Sequence, residues 1–480
     1  MNHPQISPIY TDEKRTPKPA GALSGYLRES ANSAHKKKLH AALAAMVLGI
    51  AATITAADNW PQFRGPRSDG LSEGKNLPDS WSATENIAWK IATPGLGWSS
   101  PIVWDGKIFL TSAARIAGDE PPQMGLYLGK SRGEGEHRFL VLGYDLATGA
   151  KLWEQEVHRG VPARAIHLKN SFASATPVTD GRRVVALFHD VGLFAFDLDG
   201  KPLWNVPVPP TKTRADFGHG GSPVLHDGKV YLVDDNESAS FLAAFDAATG
   251  KELWRVPRET ETNYATPFVW QSGKRTELIV PATRRTISYD LEGKELWSYR
   301  GGMSKLTIGT PFAAHDLLYV GSGYFQDGVR GLFAIKPGAS GDITPDFSSG
   351  AGEAFAWFNM KAAPYNPTPL VYGDHLYVLY DHGMLSCYDA RTGRPFYEKQ
   401  RLDTPGGFTA SPWAHDGKIF CLSERAETVV VPAGPEFKVI ARHALEPEPC
   451  LATPALVGDS VLIRTASKLY RIRNPKSASR

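Results

Sequence analysis

Short apolar runs, each broken after a few residues by a turn signal, fill this chain from Trp98 to Ile472. Lys107-Ile108-Phe109-Leu110 and Val230-Tyr231-Leu232-Val233 are representative: β-branched and aromatic residues in stretches too short for a helix. No amphipathic segment of about 10–15 residues separates them, which excludes alternating strands and helices around a parallel sheet. Eight of the runs begin with Ser or Thr followed by Pro: Ser100-Pro101, Thr176-Pro177, Ser222-Pro223, Thr266-Pro267, Thr310-Pro311, Thr368-Pro369, Ser411-Pro412 and Thr453-Pro454. The intervals are 76, 46, 44, 44, 58, 43 and 42 residues. A period of about 40–45 residues marks a unit that buries its apolar face only by stacking on copies of itself.

Within a unit the turns are spelled out. Asp105-Gly106, Asp180-Gly181, Asp227-Gly228 and Asp416-Gly417 separate a first strand from a second, as a tight hairpin needs. A third strand ends in an aromatic and Asp at Asp145, Asp197, Asp246, Asp290 and Asp389. A Gly follows each, and four residues beyond that Gly stands Trp153, Trp204, Trp254, Trp297 or Tyr397. These aromatics open a fourth, outer strand and are expected to be structural, filling the wedge between units. Four strands repeated eight times predict an all-β fold, an eight-bladed β-propeller of four-stranded antiparallel blades. The last unit stops at Leu469-Tyr470-Arg471-Ile472 without its outer strand, while an orphan strand, Asn86 to Ile91, stands near the start. That N-terminal strand is expected to complete the last blade and close the ring, leaving no exposed sheet edge there.

Two units are swollen, by Gly118 to His137 in the first and by Gly338 to Gly352 in the fifth. Ahead of the repeats, Lys36-Lys37-Lys38 precedes a small-residue apolar stretch from Leu39 to Ala57. This reads as an export signal, or as a membrane anchor if it is not cleaved. The expected organisation is therefore a leader over 1–57, a propeller over 58–474 and a tail over 475–480, in an exported protein of the periplasm or cell envelope. No Cys follows the apolar stretch, so lipid attachment there is not expected.

The formal charge of +3 comes from the leader: 46 Lys/Arg face 47 Asp/Glu in the rest of the chain. A neutral domain gives no reason to expect nucleic acid or an anionic membrane as partner. The three cysteines, Cys387, Cys421 and Cys450, have neither metal nor disulfide spacing. Gly129-Lys130-Ser131 lacks the rest of a phosphate-binding loop, Asp197-Leu198-Asp199-Gly200 reads as a turn rather than a calcium loop, and Asn236-Glu237-Ser238 fits a glycosylation sequon. One positional argument does select a site. The segments leading into the inner strands rim one face of a propeller, and three consecutive ones are rich in polar groups. They carry His167 and Asn170, then Asp216 and His219, then Arg258, Glu259 and Asn263. His167 and His219 would serve as hydrogen-bonding groups, Arg258 as a fork for a carboxylate or phosphate, and Asn170 and Asn263 as amide contacts. Lys305 and Tyr365-Asn366 lead into later blades.

The Asp-x-x-Thr-Gly-x-x-x-Trp element and the Thr-Pro strand starts resemble the pyrroloquinoline-quinone-like (PQQ-like) propeller repeat family. The opening Asn59-Trp60-Pro61-Gln62-Phe63-Arg64-Gly65-Pro66 is similar to that of exported propellers in that family. The resemblance implies either of two functions. Quinoprotein alcohol dehydrogenases hold PQQ and calcium in the funnel, whereas the propeller lipoprotein of the outer-membrane β-barrel assembly machinery binds protein without a cofactor. The chain lacks the adjacent cysteine pair of the former and the lipid-bearing Cys of the latter. The expectation is a non-catalytic, cofactor-free binding propeller with no metal site, its partner an envelope protein or a small polar ligand at the rim. The alternative is a PQQ-dependent oxidoreductase.

Overall fold

A computed structural model describes residues 59–118, 131–132, 135–324 and 326–474. The expected leader, the C-terminal tail, Gly129-Lys130 and most of the first insert lie outside the described residues. The rest forms eight antiparallel blades, as the repeat predicts. The inner strands are Ile102–Trp104, Val178–Thr179, Val224–His226, Phe268–Gln271, Phe312–Ala314, Leu370–Tyr372, Trp413–His415 and Ala455–Val457. In the eighth blade the outermost strand is Ile87–Ala92, which pairs antiparallel with Lys468–Arg473 in the register Trp89↔Arg471 and Ala92↔Lys468. The chain thus begins and ends in one blade.

The turn chemistry explains why the blades form. Asp105-Gly106, Asp227-Gly228 and Asp416-Gly417 have positive φ at both residues, the hairpin geometry that matches strand twist. The second blade differs: only Gly181 has positive φ, and Asp180 Oδ1 instead accepts from the amides of Arg182 and Arg183 at 3.0 and 2.9 Å. In the first blade, beside the Asp105-Gly106 hairpin, Asp145 Oδ1 accepts from both the amide and the hydroxyl of Thr148 at 2.7 and 2.6 Å. Asp246 with Thr249 and Asp389 with Thr392 repeat the arrangement.

These turns are also docking points for the tryptophans. The indole N–H of Trp153 donates to Leu198 O at 3.1 Å, inside the turn of the following blade; Trp204 does the same to Ala247 O and Trp254 to Leu291 O. Trp89 reaches Leu146 O and Trp357 reaches Ala390 O, both at 2.9 Å. Each ring lies flat against the turn's Gly. A Cβ at Gly200 would meet Trp153 at 2.6 Å and one at Gly250 would meet Trp204 at 2.6 Å. Trp297 departs from the rule. Its neighbour's turn is replaced by the second insert, whose Gly341–Asp342 runs parallel along Trp297 and Ser298 as a fifth strand. The indole turns inward and donates to buried Glu277 Oε2 at 2.6 Å.

Residues 60–71 run across the inner strands of several blades. Trp60 exchanges two backbone hydrogen bonds with Val103 of the first blade, and Pro61 O accepts from Thr179 of the second. Arg64 Nη2 donates to Pro369 O of the sixth at 2.9 Å, with its guanidinium 5.4 Å from the Phe312 ring of the fifth. Leu71 bridges to Ala414 of the seventh. Arg64 is fully buried, and desolvation lowers its pKa to about 10 despite nearby Asp69. The segment gathers five blades around one strap.

Truncating the chain through Thr93 removes both the strap and the closing strand. This is expected to abolish the single cooperative thermal transition and expose the Lys468–Arg473 edge to aggregation, whereas a chain starting at Asp58 should melt as the full chain does. Replacing Trp297 by Ala should cost roughly 3–5 kcal/mol, and replacing half-buried Trp204 somewhat less. Denaturant titration checks this; unchanged midpoints would remove the docking role assigned to the indoles.

Candidate functional site

The Ser/Thr of each Ser/Thr-Pro pair has a task that the repeat does not announce. Pro has no N–H to give, so the last amide before the inner strand belongs to the Ser or Thr. That amide donates to the hydroxyl of the next blade's Ser or Thr. Ser100 N reaches Thr176 Oγ1 at 3.0 Å, Thr176 N reaches Ser222 Oγ at 2.9 Å, and Ser222 N reaches Thr266 Oγ1 at 3.0 Å. A second run joins Thr310 to Thr368 at 3.1 Å, then Ser411 and Thr453 at 3.0 Å each. Among the described residues the link is missing at two junctions, Thr266 to Thr310 and Thr453 to Ser100, four blades apart. All eight hydroxyl residues line one axial funnel of about 280 Å³.

Around this ring stand the rim groups, and the structure divides the expected ones. His167, Asn170 and His219 line the funnel. Asn170 is a clamp: its Nδ2 donates to Phe217 O and His219 O at 2.9 and 3.0 Å, while its Oδ1 accepts from Ser171 N and Ser174 Oγ. His167 packs edge-on against Phe217 with centroids 4.9 Å apart, and its Nδ1 accepts from Lys169 N at 3.2 Å. Its backbone pairs with Ser131, so the far end of the first insert reaches the rim. His219 stacks on His189 at 4.3 Å and shares a 3.2 Å hydrogen bond with Thr211 Oγ1, with Asp190 3.7 Å away. Burial, and then the charge of His189, holds its pKa well below the usual imidazole value.

The other four expected residues stand differently. Arg258 is not a fork for a ligand, because Asp235 occupies it from within. Nε and Nη2 reach the two carboxylate oxygens at 2.7 and 3.0 Å, Nη1 donates to Tyr289 OH at 2.7 Å, and both side chains of the ion pair are fully buried. Asn263 is likewise committed, donating to Pro281 O at 2.7 Å and accepting from Ala265 N at 3.0 Å. Removing Arg258 would strand a buried carboxylate, a change that damages the fold before it tests a ligand. Glu259 lies elsewhere again, in a cleft of about 410 Å³ beside Arg214, Glu261 and Lys305. Asp216 ends the 3-10 turn Arg214–Asp216 and lines neither cavity. Asn236 of the sequon is buried and bonded to Asp234.

Several funnel groups escaped the sequence. Phe63 comes from the strap, Tyr264 from a lead-in segment read for its charges, and Trp98 and Tyr324 from segments the rim argument did not select. Lys169 forms an ion pair with Glu424, which also accepts from Thr409 Oγ1 at 2.7 Å. Glu424 belongs to a hairpin of the seventh blade, 255 residues from Lys169. Asp381, of the sixth blade's hairpin, holds the lead-in at Tyr365 and Asn366 through their amides at 3.0 and 2.9 Å, and burial raises its pKa.

The donor set does not fit pyrroloquinoline quinone, which carries three carboxylates. Lys169 is the only Lys or Arg among the described residues that lines the funnel, and it is already paired. Among the described residues no His/Cys/Asp/Glu cluster has metal-holding geometry. The three cysteines are buried away from the funnel lining, and burial pushes the Cys387 thiol up to about 12.

The family model for the outer membrane protein assembly factor BamB matches residues 80–241 and 199–431. Among solved structures, the chain is similar to BamB from Moraxella catarrhalis at 13% identity, over 75% of this chain and 99% of that one, with a TM-score of 0.49. It is also similar to the computationally designed Ika8 protein at 12% identity, over 84% and 99%, with a TM-score of 0.52. Identities this low speak only to the fold. No curated protein sequence matches the chain.

The buried imidazoles give the domain a pH dependence. His219, His415 and His443 all have pKa values lowered, first by burial. In the unfolded chain each gains a proton below about pH 6.5, whereas in the folded chain it stays neutral until the pH falls further. Stability is therefore full above that value and drains as the pH falls through it, by at most about 1.4 kcal/mol per pH unit for each group. Calorimetry should show the melting temperature dropping between about pH 7 and 5, and dropping less for His219→Gln. Superimposable profiles would remove His219 from the account.

Proposed function

The chain belongs to the family of the outer membrane protein assembly factor BamB, and from that premise we propose that it is an exported, non-catalytic scaffold of the cell envelope. It binds a protein partner or a small polar ligand at the mouth of its funnel and works without a bound cofactor. The observation that carries this reading is the state of the ionisable groups around the funnel. Lys169 is tied to Glu424, Arg258 to Asp235, and Asp381 to the backbone it supports. His219 is kept neutral by burial. A general base or nucleophile needs a group in reach of substrate and tuned for proton transfer; these groups are spent on holding loops in place. Rigid loops on a rigid ring suit recognition.

The exposed counterpart is the cleft of Arg214, Glu259, Glu261 and Lys305, where Arg214 contacts Glu261 across two consecutive lead-in segments. Solvent-facing charges of this kind steer and orient a protein partner rather than supply most of its affinity. The family and the apolar segment Leu39 to Ala57 support export.

The test uses the full chain, immobilised, with envelope extract from its source. Retention of a specific envelope protein is expected, and the double reversal Glu259→Lys with Lys305→Glu should weaken it at least tenfold without moving the melting temperature. Calcium-dependent dye reduction on adding pyrroloquinoline quinone would establish the oxidoreductase instead and end this reading.

A further inference from the structure

The hydroxyl ring holds back a resource. Six of its members accept an N–H from the neighbouring blade, and among the described residues none of the eight donates its own proton to a protein acceptor. An O–H whose oxygen already accepts a hydrogen bond is polarised toward donating. Ser100 Oγ goes further: it is buried, lines the funnel, and neither accepts nor donates. Tyr264 Oη is in the same condition, on a side chain that also lines the funnel. Burial raises the pKa of the Tyr264 phenol, so it stays a neutral donor.

Above the hydroxyls the wall is aromatic. Tyr324 and Tyr365 meet with centroids 5.0 Å apart, and Trp98, Tyr264 and Phe217 stand around the same mouth. The charges that reach the funnel are cancelled within it by the Lys169–Glu424 pair. Among the described residues an anion would find no uncompensated Lys or Arg, and a plain hydrocarbon would leave a ring of hydroxyls unpaired, which is costly in a confined site. A ligand that suits both parts is uncharged, has flat C–H faces for the aromatic rings, and carries several hydroxyl groups in a small volume.

We infer that the funnel takes the end of a neutral saccharide, one sugar ring lying against the aromatic wall and its hydroxyl oxygens accepting from the Ser/Thr ring and Tyr264. This rests on the binding reading above only in taking the funnel as a binding site. It adds a ligand class for the axis, apart from any protein held at the charged cleft.

Ligand-observed saturation-transfer NMR on the full chain tests it, with glucose, N-acetylglucosamine and chitotetraose as probes. At least one should receive saturation, strongest at its axial-face C–H protons. Because neither hydroxyl bonds to the protein, Tyr264→Phe and Ser100→Ala should leave the melting temperature unchanged while each weakens binding about fivefold, the worth of one neutral hydrogen bond. No transfer to any of the three sugars, or binding unaltered in both variants, would overturn the inference. So would transfer to a peptide with a free carboxylate, such as acetyl-Ala-Tyr, that the sugars fail to displace. Retention of an envelope protein depends on Glu259 and Lys305, so a negative sugar result leaves that reading to stand or fall separately.

Discussion

Everything in this molecule depends on how one blade grips the next. A four-stranded sheet cannot bury both of its faces alone, so a propeller is stable only as a closed set of blade-to-blade contacts. Among the described residues two kinds of bond hold the junctions at different radii, the inner one at six of the eight and the outer one at five. Near the axis, the amide of one Ser or Thr donates to the hydroxyl of the next, as from Thr176 to Ser222. At the periphery, the Trp204 indole donates into the following blade's turn. Apolar packing such as Val185, Leu187 and Val230 fills the space between.

Much of this was legible because it repeats. Asp145, Thr148 and Gly149 spell a turn that Asp246 and Asp389 spell again, and the orphan strand bearing Trp89 announced the ring closure. What the repeat hid was the reason for its own most constant feature. The Ser/Thr-Pro pair reads as a strand start, while its hydroxyl points sideways to a neighbour that the linear sequence keeps more than forty residues away. The second insert misled in the same way. It reads as an excursion from the fifth blade, yet Gly341–Asp342 completes the edge of the fourth and releases Trp297 to Glu277.

The site was less legible, and the reason is physical. Charged residues before Pro267 suggested contacts for a ligand, but a charge in a lead-in segment lies next to the ends of other blades as well as to solvent. Arg258 met Asp235, only 23 residues earlier, and became an internal bracket. Lys169 met Glu424 across the ring. Sequence shows which residues carry charge; it does not show whether the fold has already spent that charge. The aromatic residues of the apolar wall, Trp98, Tyr264 and Tyr324 among them, were not selected at all, because nothing in the linear sequence marks them as facing the axis.

The ring's two missing links bear on how the funnel is shaped. The unbroken runs join the first four blades, from Ser100 to Thr266, and the last four, from Thr310 to Thr453. At the first gap Tyr264 N donates to Thr307 O instead, which brings Leu306 and Ile308 to the wall. At the second, Arg464 donates to Ser99 O and Oγ at 3.1 and 2.6 Å, beside Trp98 and Leu451. A buried cation whose pKa desolvation lowers to about 10 is a costly fastener. Its use here is intelligible at a junction where the axial Ser/Thr link is missing and only the outer bond, from Trp89 to Leu146 O, remains. The strap, with Arg64 equally buried, reinforces both halves. Two halves joined by apolar seams give an axial cavity with alternating hydroxyl arcs and greasy gaps. That alternation, rather than any single residue, is what the interior has to offer a ligand.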